Sequence, residues 1–154
     1  MDAIPQFGAP LPGRAYPDRP AAFGIALRDG RLAVARITLA GGRQVHDLPG
    51  GGIDAGEGPA EALVREFGEE VGLRVAAGAE LVRADQYFNS PEGSAHNVRG
   101  VFMTATVLAE AADLKIEDDH ELIWLDPLEA LGLMRREAHA WAIAAWLRDL
   151  ARRA

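Results

Sequence analysis

Two apolar runs, Phe23–Arg28 and Arg31–Arg36, flank Asp29-Gly30, and that spacing predicts a two-residue β-hairpin. A glycine turn follows at Gly41-Gly42. Next comes His46-Asp47-Leu48-Pro49-Gly50-Gly51-Gly52, whose glycines are expected to forbid a regular strand and to let a ligand approach the backbone. Pro59–Val71 reads as a helix, with proline in its first turn and Gly72 where a left-handed cap would end it. Further strands are expected near Leu81–Phe88, Val98–Leu108 and Leu122–Leu125, with Asn89–Ser94 as an exposed loop between the first two. Asp126-Pro127-Leu128-Glu129 has the form of a capping box. In the helical region that follows, Ile143, Trp146, Leu147 and Leu150 repeat at i, i+3, i+4, i+7 as an apolar stripe. Residues 1–20 hold five of the nine prolines and read as an extended arm ahead of a single domain at 21–154. The mixture predicts an α/β or α+β domain with helices packed on a mixed sheet.

At 154 residues the chain is long enough to bury most of its apolar surface as one domain. Sixteen basic against twenty-three acidic side chains give a net charge of −7, which argues against broad nucleic-acid binding and against anionic membranes. No apolar run approaches the ~18 residues of a membrane span, and residues 1–19 have no basic start followed by an apolar core. The expected compartment is the cytoplasm. With no cysteine, any metal must be held by oxygen or histidine.

The acidic helix is the informative element. On a wheel at ~100° per residue, Ala60, Leu63, Val64, Phe67 and Val71 form the expected buried face. Glu66, Glu69 and Glu70 occupy the neighbouring arc, with Glu70 at the edge of the apolar stripe. Like charges at these spacings cost roughly 0.2–0.5 kcal/mol per pair. Glu69 and Glu70 also sit at the negative end of the helix dipole. Arg65 alone cannot neutralise Glu61, Glu66, Glu69 and Glu70. A divalent cation removes the conflict, and carboxylates without thiolates suit Mg²⁺ or Mn²⁺. The other reading of the same charges is a plain solvated acidic face.

The adjoining residues separate the two. From Gly51 the chain runs five residues to Glu57 and seven more to Arg65-Glu66-Phe67, then Gly68, Glu69-Glu70, Val71 and Gly72-Leu73. This resembles the signature box of the Nudix hydrolases, with every fixed position filled and one looser fit, Phe67, where an aliphatic residue is usual. The resemblance implies an α/β Nudix fold, a mixed sheet sandwiched between helices, with the box forming a loop–helix–loop. It implies a pyrophosphohydrolase using Mg²⁺ or Mn²⁺ on a small-molecule nucleoside diphosphate linked to another group. Glu66, Glu69 and Glu70 match metal-binding positions, joined by the Gly50 carbonyl. Glu57 and Arg65 match an ion pair that braces loop and helix. Catalytic candidates are Glu70, Glu69 and Glu66, with Glu121 of the loop Asp118-Asp119-His120-Glu121 placed ahead of His120.

Other residues receive plainer readings: Tyr87, Phe88, Trp141 and Trp146 as core, His46 as a surface histidine. Asn89, Glu92 and His96 lie in or beside a loop long enough to close over substrate. Arg28, Arg36 and Arg43 could reach phosphate from the strands. A nucleoside triphosphate or oxidised nucleotide is the first expectation for substrate, with ADP-ribose or another nucleotide sugar as the alternative. Triphosphorylated RNA ranks lower because no basic track is visible. A non-catalytic nucleotide sensor of the same fold would be expected to lack box glutamates, and none is missing. A homodimer is admitted by the sequence but not required by it.

Overall fold

The computed structural model describes residues 3–154. In chain order its elements are β1 (Gln6–Phe7), β2 (Asp18–Arg28), β3 (Arg31–Thr38), β4 (Gln44–Asp47), β5 (Gly50–Gly52), α1 (Pro59–Val71), β6 (Leu73–Asn89), β7 (Ala95–Glu110), β8 (His120–Leu125), α2 (Pro127–Leu133) and α3 (Glu137–Arg153). The strands form one curled mixed sheet in the order β1-β6-β7-β2-β3-β4, with β5 paired to β2 and β8 to β3. β2 and β7 run parallel, as do β1 and β6; the other pairs are antiparallel.

Alternation along β2 sets the layers. Ala21, Phe23 and Ile25 face one side and pack with Ala138, Ala142, Ile143 and Trp146 of α3. Ala22 and Ala26 face the other and pack with Leu63, Phe67 and Val71 of α1. The residue sizes are complementary. Under α1 the sheet offers Ala22, Gly24, Ala26, Ala33 and Ala35 to a large phenylalanine, and a Cβ on Gly24 would lie 2.6 Å from the Phe67 ring. Under α3 the sheet is large and the helix supplies alanines. The result is an α/β sandwich with two apolar cores, one on each face of the sheet.

Several boundaries differ from the sequence expectation. β2 begins at Asp18, ahead of the expected run from Phe23 and of the expected domain start at 21, and Gln6–Phe7 of the expected arm pair with Asp85–Gln86 of β6. Phe7 is held there by Trp141 of α3, with ring centroids 6.0 Å apart. β6 and β7 are longer than expected, because their paired ends extend past the apolar runs and carry exposed residues. The glycine run does form a strand: Gly50–Gly52 pair with Ala21–Phe23. Its missing side chains allow this, since a Cβ on Gly50 would lie 2.1 Å from the Ala22 carbonyl oxygen, at φ +146°. In α3 the buried residues are Ala138, His139, Ala142, Ile143, Ala145 and Trp146, Leu147 is half-buried and Leu150 is exposed.

Candidate active site

α1 begins at Pro59 and ends in Gly72 at φ 65°, whose N–H donates to Gly68 and Phe67 carbonyls. Its buried residues are Ala62, Leu63, Phe67, Gly68 and Val71, while Ala60 and Val64 are exposed. The buried face is therefore turned from the expected one, toward the carboxylates. Glu66 and Glu70 lie within it, not beside it, with side chains 15% and 14% exposed. The cause is the glycine strand. Gly51 has no Cβ where one would stand 2.7 Å from the Glu66 carboxyl carbon, so the helix settles close to β5 on that side.

The carboxylates are held individually. Gly50 N–H donates to Glu70 Oε1 at 2.9 Å, and His120 Nε2 lies 3.3 Å from Glu70 Oε2. Arg65 makes a two-pronged pair with Glu57 at 2.8 and 2.9 Å and donates to the Gly52 carbonyl at 2.9 Å. Its remaining nitrogen reaches Glu66 and Glu69, each at 3.1 Å. One guanidinium thus ties the β5–α1 loop to the helix. Glu69 is turned to Arg65 and does not line the adjoining cavity, which measures about 340 Å³.

The electrostatic state follows from burial. Burial and the charge of Glu70 push the Glu66 carboxyl up to about 7. Burial also raises Glu70, opposed by its hydrogen bonds from His120 and the Gly50 N–H. Burial by itself would lower His120, but its hydrogen bond and attraction to Glu70, then to Asp119, outweigh that and raise it to about 9. The hydrogen bonds of Arg65 hold Glu57 well below the usual carboxylate range. Two buried carboxylates thus lean on one arginine and one histidinium for countercharge.

Strand alternation decides the role of the β8 loop. His120 pairs with Ile37 and Glu121 with Arg36, so His120 and Ile37 line the cavity while Glu121 faces away. Glu121 is 60% exposed and bonded to Arg36 at 2.8 Å, so it does not reach the carboxylate cluster where the sequence placed it ahead of His120. Glu117, Asp119 and His120 instead offer ligand atoms within 4.8 Å of one another. This loop is pinned to α1, because the Glu69 carbonyl at the helix end accepts from Ile116 and Glu117 N–H groups at 2.9 and 3.1 Å.

The cavity also gathers residues that the sequence did not single out: Arg19, Asp47, Arg135 and Arg136. Asp47 accepts from Arg135 at 3.0 and 2.9 Å. Behind it His139, fully buried, accepts from Leu48 N–H at 3.0 Å, and burial lowers its pKa to about 3. No local pattern signals this group, which joins β4 to the start of α3 across 88 residues. Phe88, read as core, lines the cavity beneath both arginines, with guanidinium carbons 3.9 and 4.9 Å from its ring. Glu92 and His96 line the cavity too, whereas Asn89 accepts from the Tyr16 hydroxyl. Tyr87 packs edge-on against Tyr16. Arg28, Arg36, Arg43 and His46 are not among the lining residues.

A family model described as NUDIX domain matches residues 18–150. Over 55 residues the chain is 53% identical to an RNA pyrophosphohydrolase of Gluconobacter oxydans (strain 621H); the match spans 34% of this chain and 32% of that relative. Among solved structures, a NUDIX hydrolase from Nitrosomonas europaea superposes with a TM-score of 0.72 at 14% identity, over 86% of this chain and 90% of that one. A MutT protein from Methanosarcina mazei Go1 gives 0.67 at 21% identity, over 89% and 98%. At such identities the superpositions speak for the fold alone.

Proposed function

The chain belongs to the Nudix hydrolase family, and on that premise we propose that it is a metal-dependent pyrophosphohydrolase of nucleotides. Its first substrate class is the nucleoside triphosphates, oxidised forms included, with ADP-ribose or nucleotide sugars as the alternative. The name of the Gluconobacter relative adds the triphosphorylated end of RNA to the panel, as a proposal only, since the match spans about a third of that protein. The observation that carries the reading is the buried Glu66–Glu70 pair at the cavity wall, held by the Gly50 N–H and Arg65.

These residues fit a hard divalent cation. The donors are all oxygen, the pair is short of positive charge, and the cavity holds further acids at Glu117 and Asp119. Glu66 and Glu70 would hold Mg²⁺ or Mn²⁺, with the Gly50 carbonyl as a further ligand, and Glu69 would join them only by turning from Arg65. Bound there, the ion supplies charge neutralisation for the diphosphate and Lewis acidity toward its oxygens and the attacking water. The chain's own contribution is placement. Arg65 fixes Glu57, Glu66 and Glu69 in one frame, so the carboxylates need no reorganisation when substrate enters. Glu70 faces the cavity and Glu69 does not, which favours Glu70 for taking the proton of the attacking water.

The test is phosphate or pyrophosphate release from a nucleotide panel with Mg²⁺, with Mn²⁺ and with chelator, for the wild type and for Glu66→Gln and Glu70→Gln. Metal-dependent release by the wild type, reduced by about 10²-fold or more in folded variants, is the expected result. Wild-type rates in either variant would remove that carboxylate from the site. Metal binding with silence across the panel would replace the enzyme by a nucleotide sensor.

A further inference from the structure

Two helices bring charge of the unfavourable sign to this cavity. α1 presents its negative end and carries Glu66 and Glu70 there. α3 presents its positive end, and the residues entering its first turn are Arg135 and Arg136, with no side-chain cap. The acid of that turn, Glu137, is directed to Gln86 Nε2 at 2.7 Å and does not pair with either arginine.

Arg136 is largely buried, with a side chain 13% exposed. Among the described residues its guanidinium makes no hydrogen bond. Its Nε is buried without a partner, and its nearest carboxylate oxygen, on Asp47, is 3.4 Å away. That oxygen is already taken by Arg135 at 2.9 Å. A buried guanidinium whose donors go unmade is costly, by more than a neutral group would be. Phe88 lies under both arginines within cation–π distance and offers their N–H groups no acceptor in its own plane. Arg19, exposed, ion-paired to nothing among the described residues, lines the same cavity. Three guanidiniums thus line one cavity; Asp47 faces two of them, Glu70 acts on Arg136 as well, and Arg19 has no carboxylate partner among the described residues.

Asp47 lies three residues before Gly50, whose N–H holds Glu70, so the two ends are at most about 10 Å apart along the chain. A terminal phosphate carries close to two negative charges and three acceptor oxygens, whereas a phosphate bridged on both sides carries one charge and two free oxygens. The unbonded donors of Arg136 and the unpaired Arg19 match the former. We propose that Arg136, Arg135 and Arg19 form an anion subsite for the terminal phosphate of the substrate. The enzyme then selects nucleotides with a free-ended phosphate chain over diphosphates capped on both sides by a sugar. This rests on the hydrolase reading above and narrows its substrate class. Free nucleoside triphosphates and the triphosphate end of RNA share the recognised group.

The test has two arms. In chelator, calorimetric titration of inorganic tripolyphosphate should show binding to the wild type, weakened at least tenfold in Arg19→Gln and in Arg136→Gln. Arg19 is exposed, so its variant keeps the test decisive if the Arg136 variant does not fold. With Mg²⁺, kcat/KM is measured for a nucleoside triphosphate, a 5′-triphosphorylated oligonucleotide and ADP-ribose. The expected result is an at least tenfold loss in the variants on both triphosphate substrates, mainly through KM, and a loss at least fivefold smaller on ADP-ribose. The wild-type ratio between the two triphosphates identifies the source. Equal tripolyphosphate binding by wild type and variants, or equal losses on ADP-ribose, would overturn the subsite while leaving the hydrolase intact. Arginine-dependent binding without hydrolysis of any substrate would uphold the subsite and overturn the enzyme.

Discussion

Gly51→Ala separates the fold from the site. Gly51 lies in β5 opposite Ala22, with a backbone that alanine can adopt, since its φ is not among the positive values. The added Cβ would stand 2.7 Å from Glu66 Cδ and 2.8 and 2.9 Å from its two oxygens. Carbon atoms settle at about 3.5 Å or more, so the carboxyl must retreat by about 0.8 Å. It has little freedom to do so, because one oxygen is bonded to Arg65 at 3.1 Å. The clash meets the far end of a side chain rather than backbone, and unfolding free energy should fall by no more than about 1 kcal/mol. Displacement of a ligand by close to 1 Å costs on the order of 10²-fold in rate. The assays are Mg²⁺-dependent release from the best substrate of the panel and urea unfolding in chelator. A variant within threefold of wild-type turnover would refute the claim that Glu66 must lie against Gly51. Gly50→Ala provides the contrast: its Cβ meets the Ala22 carbonyl at 2.1 Å and φ is +146°, so folding itself should fail.

Three further outcomes follow. Glu121→Gln should keep turnover within about twofold of the wild type, because its carboxylate is exposed and bonded to Arg36 outside the cavity; steady-state kinetics checks it. Arg65→Ala removes the two-pronged bond to partly buried Glu57 and the bond to the Gly52 carbonyl. About 2 kcal/mol of stability should be lost, read from the urea midpoint. His139 is held neutral by burial with its pKa lowered to about 3, while the unfolded chain takes up that proton below about 6.5. Its contribution is full above pH 6.5 and is lost progressively as the pH falls from about 6.5 to about 3, at up to about 1.4 kcal/mol per pH unit. His139→Asn, which keeps an acceptor for the Leu48 N–H, should show a shallower acid slope in unfolding measured from pH 7 to 4. An unchanged slope would mean that another group carries the acid sensitivity.

The local elements were legible because local physics sets them. Pro59 and Gly72 mark the ends of α1 by what their backbones permit, and Asp29-Gly30 makes its turn for the same reason. Asp126 caps α2 by accepting from the Leu128 N–H, while Glu129 makes no reciprocal bond among the described residues, so the expected capping box is only half formed. Periodicity placed the buried face of α1 less well. It counted Val64 as inside and Glu70 as marginal, since a wheel records residue types and not the shape of the surface opposite. The sheet under α1 is made of alanine and glycine, and it accepts the helix rotated toward the glutamates.

That Glu57 braces Arg65 is what the Nudix resemblance implied; the sequence by itself determined which carboxylates share one helix and that they conflict electrostatically. These are relations within twenty-three residues, where helix geometry fixes neighbours. Only the tertiary structure decided what faces them. Whether His120 or Glu121 enters the cavity depends on the register of β8 against β3, a choice between alternate faces that a one-residue shift would reverse. The arginine end depends on closures still longer, with Asp47 meeting Arg135 across 88 residues and Gln86 meeting Glu137 across 51. Such contacts exist because both chain segments pack on the same curled sheet, and no local pattern of polarity records which distant segment will arrive.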